Sequence, residues 1–301
     1  MRKYIILICA ALLVTSCIDF TAPERFTEQS YFLTGILKAG KTVDFEDPVI
    51  VGKTTSVEDV SFGDFFINGA EVTLFEMDNT GTILDSINLS CIPIPLLEDT
   101  LFIYVDINAY LLIKPELTYR IEAKIDTTDI LWAETTVPKT ISVQPDPGYT
   151  ADPTISGWPE MIFGDIDLEH PIMIETQDNN TFNLHCEFYC LEDWDDAEYI
   201  FAMEEDTYPE DPEEYESEAD GSPRRTSTFY IFQPSDNLIN FSFYQYAFNF
   251  YGRYEVTVSS IDDNYLNYLY IPEGYNHGGI NGGIGYFGSS YSHTMYTKII
   301  E

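Results

Sequence analysis

The feature that most constrains this chain is a period-two alternation of apolar and polar residues, interrupted again and again by turn residues. Gly69-Ala70-Glu71-Val72-Thr73-Leu74-Phe75 alternates, breaks at Asp78-Asn79-Thr80-Gly81 and resumes over Thr82 to Leu89, which reads as a β-hairpin. A period of two places apolar side chains on one face of a strand, whereas a helix repeats every 3.6 residues. The same alternation marks Tyr31 to Leu37, Leu101 to Val105, Thr118 to Ile125 and Ile130 to Val137, with Pro138 as a stop. It returns at Pro171 to Thr176, Thr181 to Leu191, Thr228 to Phe232, Leu238 to Tyr246 and Arg253 to Ile261. Asp262-Asp263 followed by Tyr265, Leu266, Tyr268 and Leu269 suits one short helix ending near Pro272-Glu273-Gly274. The fold class predicted is mainly β, with two β-sandwich domains, the second carrying that helix.

The prolines and glycines from Gln144-Pro145-Asp146-Pro147-Gly148 to Trp158-Pro159 divide the chain. They set the domains at 31–142 and 161–301, with 143–160 as a linker. Before them, Arg2 and Lys3 precede eleven apolar residues from Tyr4 to Val14, closing on Thr15-Ser16-Cys17. Eleven are too few to span a bilayer, which takes about 20, and the layout is that of a cleaved leader over residues 1–16. Val14-Thr15-Ser16-Cys17 matches a lipobox, so Cys17 is the expected first mature residue, carrying diacylglycerol and acyl (palmitate-type) chains. The alternative is a secretory leader with a chance cysteine. Residues 17–30 then serve as anchor and tether, and Ile18, rather than Asp, after the cysteine favours the outer membrane.

Charge removes several classes of partner. The 51 acidic and 14 basic residues leave a formal net charge of −37, and loss of Arg2 and Lys3 with the leader deepens it by two. Such a chain repels nucleic acid and favours cations. Its apolar fraction of 45% is enough to build real cores. Ten acidic residues and no basic one lie between Glu204 and Asp220, with Pro209 and Pro212 among them. Glu204, Glu205 and Asp206 are weak calcium candidates there, because the order of a dedicated calcium loop is missing. A solvated insertion is the favoured reading, with no metal or cofactor beyond the lipid.

The chemistry of catalysis finds no starting residue. G-x-S-x-G, H-E-x-x-H, a phosphate loop and C-x-x-C are all missing, and His170, His185, His277 and His293 lack ligand spacing. Gly283-Ile284-Gly285-Tyr286-Phe287-Gly288 spells G-x-G-x-x-G, but only thirteen residues follow, too few for a βαβ unit. It reads as glycine-permitted turns with close backbone packing. Beyond Cys9 and Cys17, Cys91, Cys186 and Cys190 remain. Four residues of strand put Cys186 and Cys190 about 13 Å apart, too far for a bond. A Cys91 link to either and three free thiols both stay open, with free thiols favoured. The chain is therefore read as non-enzymatic. Phe241 to Tyr254 is rich in aromatics, and Tyr244, Tyr246, Phe248 and Tyr251 are candidates for a ligand platform, against a reading as buried strand.

Taken in order, these segments resemble domain-of-unknown-function family 4249, envelope lipoproteins of Bacteroidota. The resemblance runs through Cys17, Leu33-Thr34-Gly35, Asn68-Gly69-Ala70-Glu71-Val72-Thr73-Leu74, Leu117-Thr118-Tyr119-Arg120-Ile121 and Ala133-Glu134-Thr135-Thr136-Val137-Pro138. It continues through Val258-Ser259-Ser260-Ile261-Asp262 and Gly282-Gly283-Ile284-Gly285-Tyr286-Phe287-Gly288. It implies a first domain similar to immunoglobulin-like or carboxypeptidase-regulatory-like sandwiches, and a gene setting beside TonB-dependent transporters. The expectation is an outer-membrane lipoprotein that assists such a transporter or binds its cargo. The alternatives are a surface glycan- or protein-binding module and an acidic-site hydrolase.

Overall fold

A computed structural model describes residues 30–54, 62–96, 99–126, 128–144, 146–176, 183–192, 198–200, 226–231, 238–242 and 244–301. Cys17, Glu204, Glu205 and Asp206 lie outside them. The chain is mainly β, as its alternation requires. The first strands are β1 (Tyr31–Lys38), β2 (Ile50–Lys53), β3 (Glu71–Met77), β4 (Ile83–Leu96), β5 (Asp99–Val105), β6 (Thr118–Lys124), β7 (Ile130–Thr136) and β8 (Ile141–Val143). After them come helix α1 (Pro153–Ser156), β9 (Glu160–Ile162), helix α2 (Ile166–Glu169), β10 (Ile172–Thr176) and β11 (Asn183–Cys190). The chain ends with β12 (Glu198–Tyr199), β13 (Thr226–Ile231), β14 (Leu238–Phe241), β15 (Phe250–Ile261), helix α3 (Asp263–Tyr270) and β16 (Ile284–Ile300).

Among the described residues three sheets form, ordered β13-β11-β15-β16-β1-β2, β5-β4-β3-β6-β7 and β14-β10-β8. The first is the spine. Its β16 runs parallel to β1 from Ile284 to Ser290 and antiparallel to β15 from Ser290 to Ile299. Phe287 joins Leu33, Leu37, Val49 and Val51 in a core closed by Leu74, Tyr119, Ile121 and Leu131 of the five-stranded sheet. Met295 and Ile299 join Cys186, Phe188, Tyr254, Val256 and Val258 in a second core, closed by Ile141, Ile172 and Ile174 of the three-stranded sheet. Because the odd residues of β16 serve both cores, one face of the spine is covered along its length by two different sheets.

Local chemistry explains the turns. Asp78 Oδ1 accepts from the N–H of Thr80 and of Thr82, at 2.8 and 2.9 Å, and Gly81 takes a φ of 81°. The first core is sealed at its edges, where Val49 and Tyr104 exchange backbone hydrogen bonds and Trp132 and Asn281 do the same. Asp262 caps α3 as its composition predicts, accepting from Asn264 and Tyr265 N–H groups.

Several expectations are corrected. The strand predicted over Leu238 to Tyr246 stops at Phe241, and a 3₁₀ turn takes Gln245–Ala247. The stretch read as a linker holds α1, and its start overlaps β8, which pairs with β10 and places Ile141 in the second core. Gly283 to Gly288 forms no free turn, since Ile284 onward is the longest strand. The close packing is real: a Cβ on Gly285, whose φ is 113°, would sit 2.1 Å from the Leu33 carbonyl oxygen, and one on Gly288 would meet Tyr265 Cβ at 2.6 Å.

Candidate functional site

The predicted aromatic platform does not form as one surface. Tyr244 and Phe248 are fully buried in the second core, Tyr244 stacked on Phe188 at 5.4 Å and Phe248 edge-on to it at 5.1 Å. Their reading as platform residues is corrected, because the 3₁₀ turn rotates them inward. Burial also pushes the Tyr244 hydroxyl well above the usual tyrosine range. Tyr246 is 65% exposed, in a turn that the Gln245 N–H ties to Asp167 Oδ1 at 3.0 Å. Tyr251 is half-buried: it packs against the second core and also lines a cleft of about 380 Å³ with Glu192, Glu198 and Lys298.

The spine's second face is the candidate site. Helix α3 lies over its lower end, with Tyr268 stacked on Tyr286 at 4.1 Å and Tyr270 edge-on to His185 at 6.3 Å. Above the helix, register sets the side chains in rows across β11, β15 and β16. Glu187, Thr257 and Thr294 share one row, and Tyr189, Glu255 and Tyr296 the next. Thr257 and Thr294 hydrogen-bond at 3.0 Å, and Ser259 and Ser292 at 2.8 Å in the row below. Tyr296 lies beside Glu255 in the register, while Trp158 packs edge-on against the Tyr296 ring at 5.9 Å. Further along, Arg253 bonds both carboxylate oxygens of Glu192, at 2.8 and 3.0 Å, and Lys298 pairs with Glu160 at 2.8 Å. Among the described residues, no sheet lies over these rows.

Trp158, Tyr189, Arg253 and Tyr296 were not singled out from the sequence. Tyr189 and Arg253 carried a usable signal, since strand alternation sets Tyr189 opposite in facing to Phe188 and Arg253 opposite to Tyr254. Trp158 sits in a stretch whose prolines read only as linker.

Groups suited to catalysis are occupied structurally. His170 Nδ1 lies 2.8 Å from Asp146 Oδ1, the arrangement of a base held by a carboxylate. Among the described residues, however, no hydroxyl or thiol hydrogen-bonds to its ring, and its main-chain carbonyl accepts from the Tyr244 hydroxyl. Cys91, Cys186 and Cys190 are all free. Burial pushes the Cys186 thiol well above its ordinary range, the opposite of a reactive thiolate. Asp262 accepts from Thr135 Oγ1 at 2.8 Å and from the Ser289 N–H at 3.0 Å as well as from its own helix. Burial raises its pKa against those donors, and it ties β7, β16 and α3 together at a cavity of about 540 Å³. Asp44, Glu46 and Asp47 converge closely enough to hold a metal ion, but Lys38 meets Asp47 at 2.6 Å and Lys41 meets Glu46 at 2.9 Å.

No family model and no curated protein matches this chain. Among solved structures it is similar to trypsin-activated alpha-2-macroglobulin from Escherichia coli, at 10% identity and a TM-score of 0.19, over 79% of this chain and 15% of that one. The native form of E. coli alpha-2-macroglobulin gives 10% and 0.21, over 93% and 14%. A 1.5-MDa bacterial ice-binding adhesin gives 8% and 0.18, over 90% and 64%. The chain thus spans less than two thirds of each of these structures.

Proposed function

We propose that this protein is a non-enzymatic lipoprotein of the cell envelope, held to the outer membrane by a lipid on Cys17. In this reading it serves a TonB-dependent transporter, as an accessory subunit or as a binder of its cargo, and is a relative of family 4249. The observation that carries the reading is the spine's second face, a flat field of tyrosine, threonine and carboxylate left open above α3. Tyrosine supplies large contact area at low entropic cost, and hydroxyls adapt their hydrogen bonds, which suits such a surface to recognition. The structural employment of His170, Cys186 and Asp262 supports a role without bond-making chemistry.

The test is affinity capture from detergent-solubilised envelopes with the full chain as bait, alongside mass analysis of its N-terminal peptide. The expected result is a diacylglyceryl Cys17 and a co-purifying transporter barrel. An unacylated chain that retains no envelope protein would overturn the reading. A second reading, a glycan-binding module, draws on Trp158 and Tyr251, both half-buried. A glycan array separates the two.

A further inference from the structure

The carboxylates of the open face fall into two groups. Glu192 and Glu160 are matched by Arg253 and Lys298. Glu187 and Glu255 are not: among the described residues, no ion pair joins either to a cation, although both line one cleft of about 220 Å³ with Tyr189 and Thr257. Register makes the pair diagonal neighbours on adjacent strands, with Cβ atoms about 7 Å apart. At that spacing both carboxylates project from the same face of the sheet, so one cationic head group can donate to both. Tyr189 and Tyr296 flank Glu255 on either side in the same row, and aromatic rings attract cations. Two carboxylates are too few for calcium, which takes six to eight oxygens.

We infer that this array receives a lysine or arginine side chain projecting from a partner protein, an inference that rests on the partner-binding reading above. Charge complementarity selects the occupant. A chain of net charge −37 repels an acidic partner at long range, and the array adds a short-range socket for one cationic side chain. Tyr189 and Tyr296 have hydroxyl pKa values raised first by burial and next by Glu255, consistent with an anion set between the two rings.

The test titrates the full chain in detergent with acetyl-Gly-Arg-Gly-Arg-Gly-amide, and with the same peptide carrying citrulline in place of arginine. Wild type should bind the arginine peptide saturably and the citrulline peptide at least tenfold more weakly. Glu187→Gln with Glu255→Gln should weaken arginine-peptide binding at least tenfold, and Tyr189→Ala several-fold. A charge-matched pair on the other sandwich, Glu122→Gln with Glu134→Gln, should change it less than twofold, with thermal melts confirming that each variant folds. Equal losses from both double variants, or none from Glu187→Gln with Glu255→Gln, would overturn the proposal. If an envelope protein is captured equally by wild type and by Glu187→Gln with Glu255→Gln, this socket falls and the partner reading stands. If the peptide behaves as expected and no envelope protein is retained, the partner reading fails and the cation socket stands.

Discussion

The two faces of the spine are built from the same three strands and yet have opposite characters. Along β11, Cys186 and Phe188 are buried against the second core while Glu187 and Tyr189, interleaved with them, reach the other side. Along β15 and β16, Val256, Val258 and Met295 point inward while Glu255, Thr257 and Thr294 point outward. The lesson is that the residues fixing the fold and those left on the open face are separated by facing and not by position along the chain. A substitution should therefore read out as stability on one face and as binding on the other.

The sharpest way to break that contrast is to compare Phe188→Ala with Thr257→Ala, two strand residues of opposite facing. The first removes a fully buried ring and should cost about 3–5 kcal/mol of stability, whereas the second loses one cross-strand hydroxyl pair and should stay within about 1 kcal/mol. Urea denaturation measures both, and similar costs would show that the open face is itself a core. Next in size is Gly285→Ala, which meets both a left-handed φ and the Leu33 carbonyl. It should cost at least about 2 kcal/mol, and a neutral result would mean that β1 and β16 do not lie in this register.

Asp262→Ala removes a helix cap together with the acceptor for Thr135 and the Ser289 N–H. We expect a loss of about 2 kcal/mol, with hydrogen exchange rising first in α3. Uniform exchange across the chain would deny Asp262 its local role. The smallest effect concerns His185, buried beneath Tyr270, whose pKa desolvation lowers from the ordinary 6.5 while Glu187 partly opposes the shift. Its contribution is present above 6.5 and lost as pH falls through the lowered folded-state value. His185→Gln should flatten stability against pH in that acidic window, and an unchanged slope would place the dependence elsewhere, as on His293, which burial shifts the same way.

How much of this was legible follows from how local each signal is. The β3–β4 hairpin could be read because Asp78, Thr80 and Gly81 write their own turn, and α3 because Asp262 caps it within three residues. Strand β16 could not, since its glycines, serines and threonines look like a loop until Leu33 and Tyr265 are set against Gly285 and Gly288. The parallel pairing of β1 with β16 joins residues about 250 positions apart, which no window of sequence contains. Of the platform, Tyr244 and Phe248 are drawn inward beside a 3₁₀ turn that alternation does not announce.

The central claim, that the open face of the spine is where a partner docks, is tested most directly by site-specific photo-crosslinking in living cells. A photoreactive residue at Thr257 or Thr294 should yield a covalent adduct with an envelope protein, and one at Thr73 or Asn88, on the outer face of the five-stranded sheet, should yield none. Adducts from Thr73 and Asn88 alone, or equal yields from both faces, would contradict it.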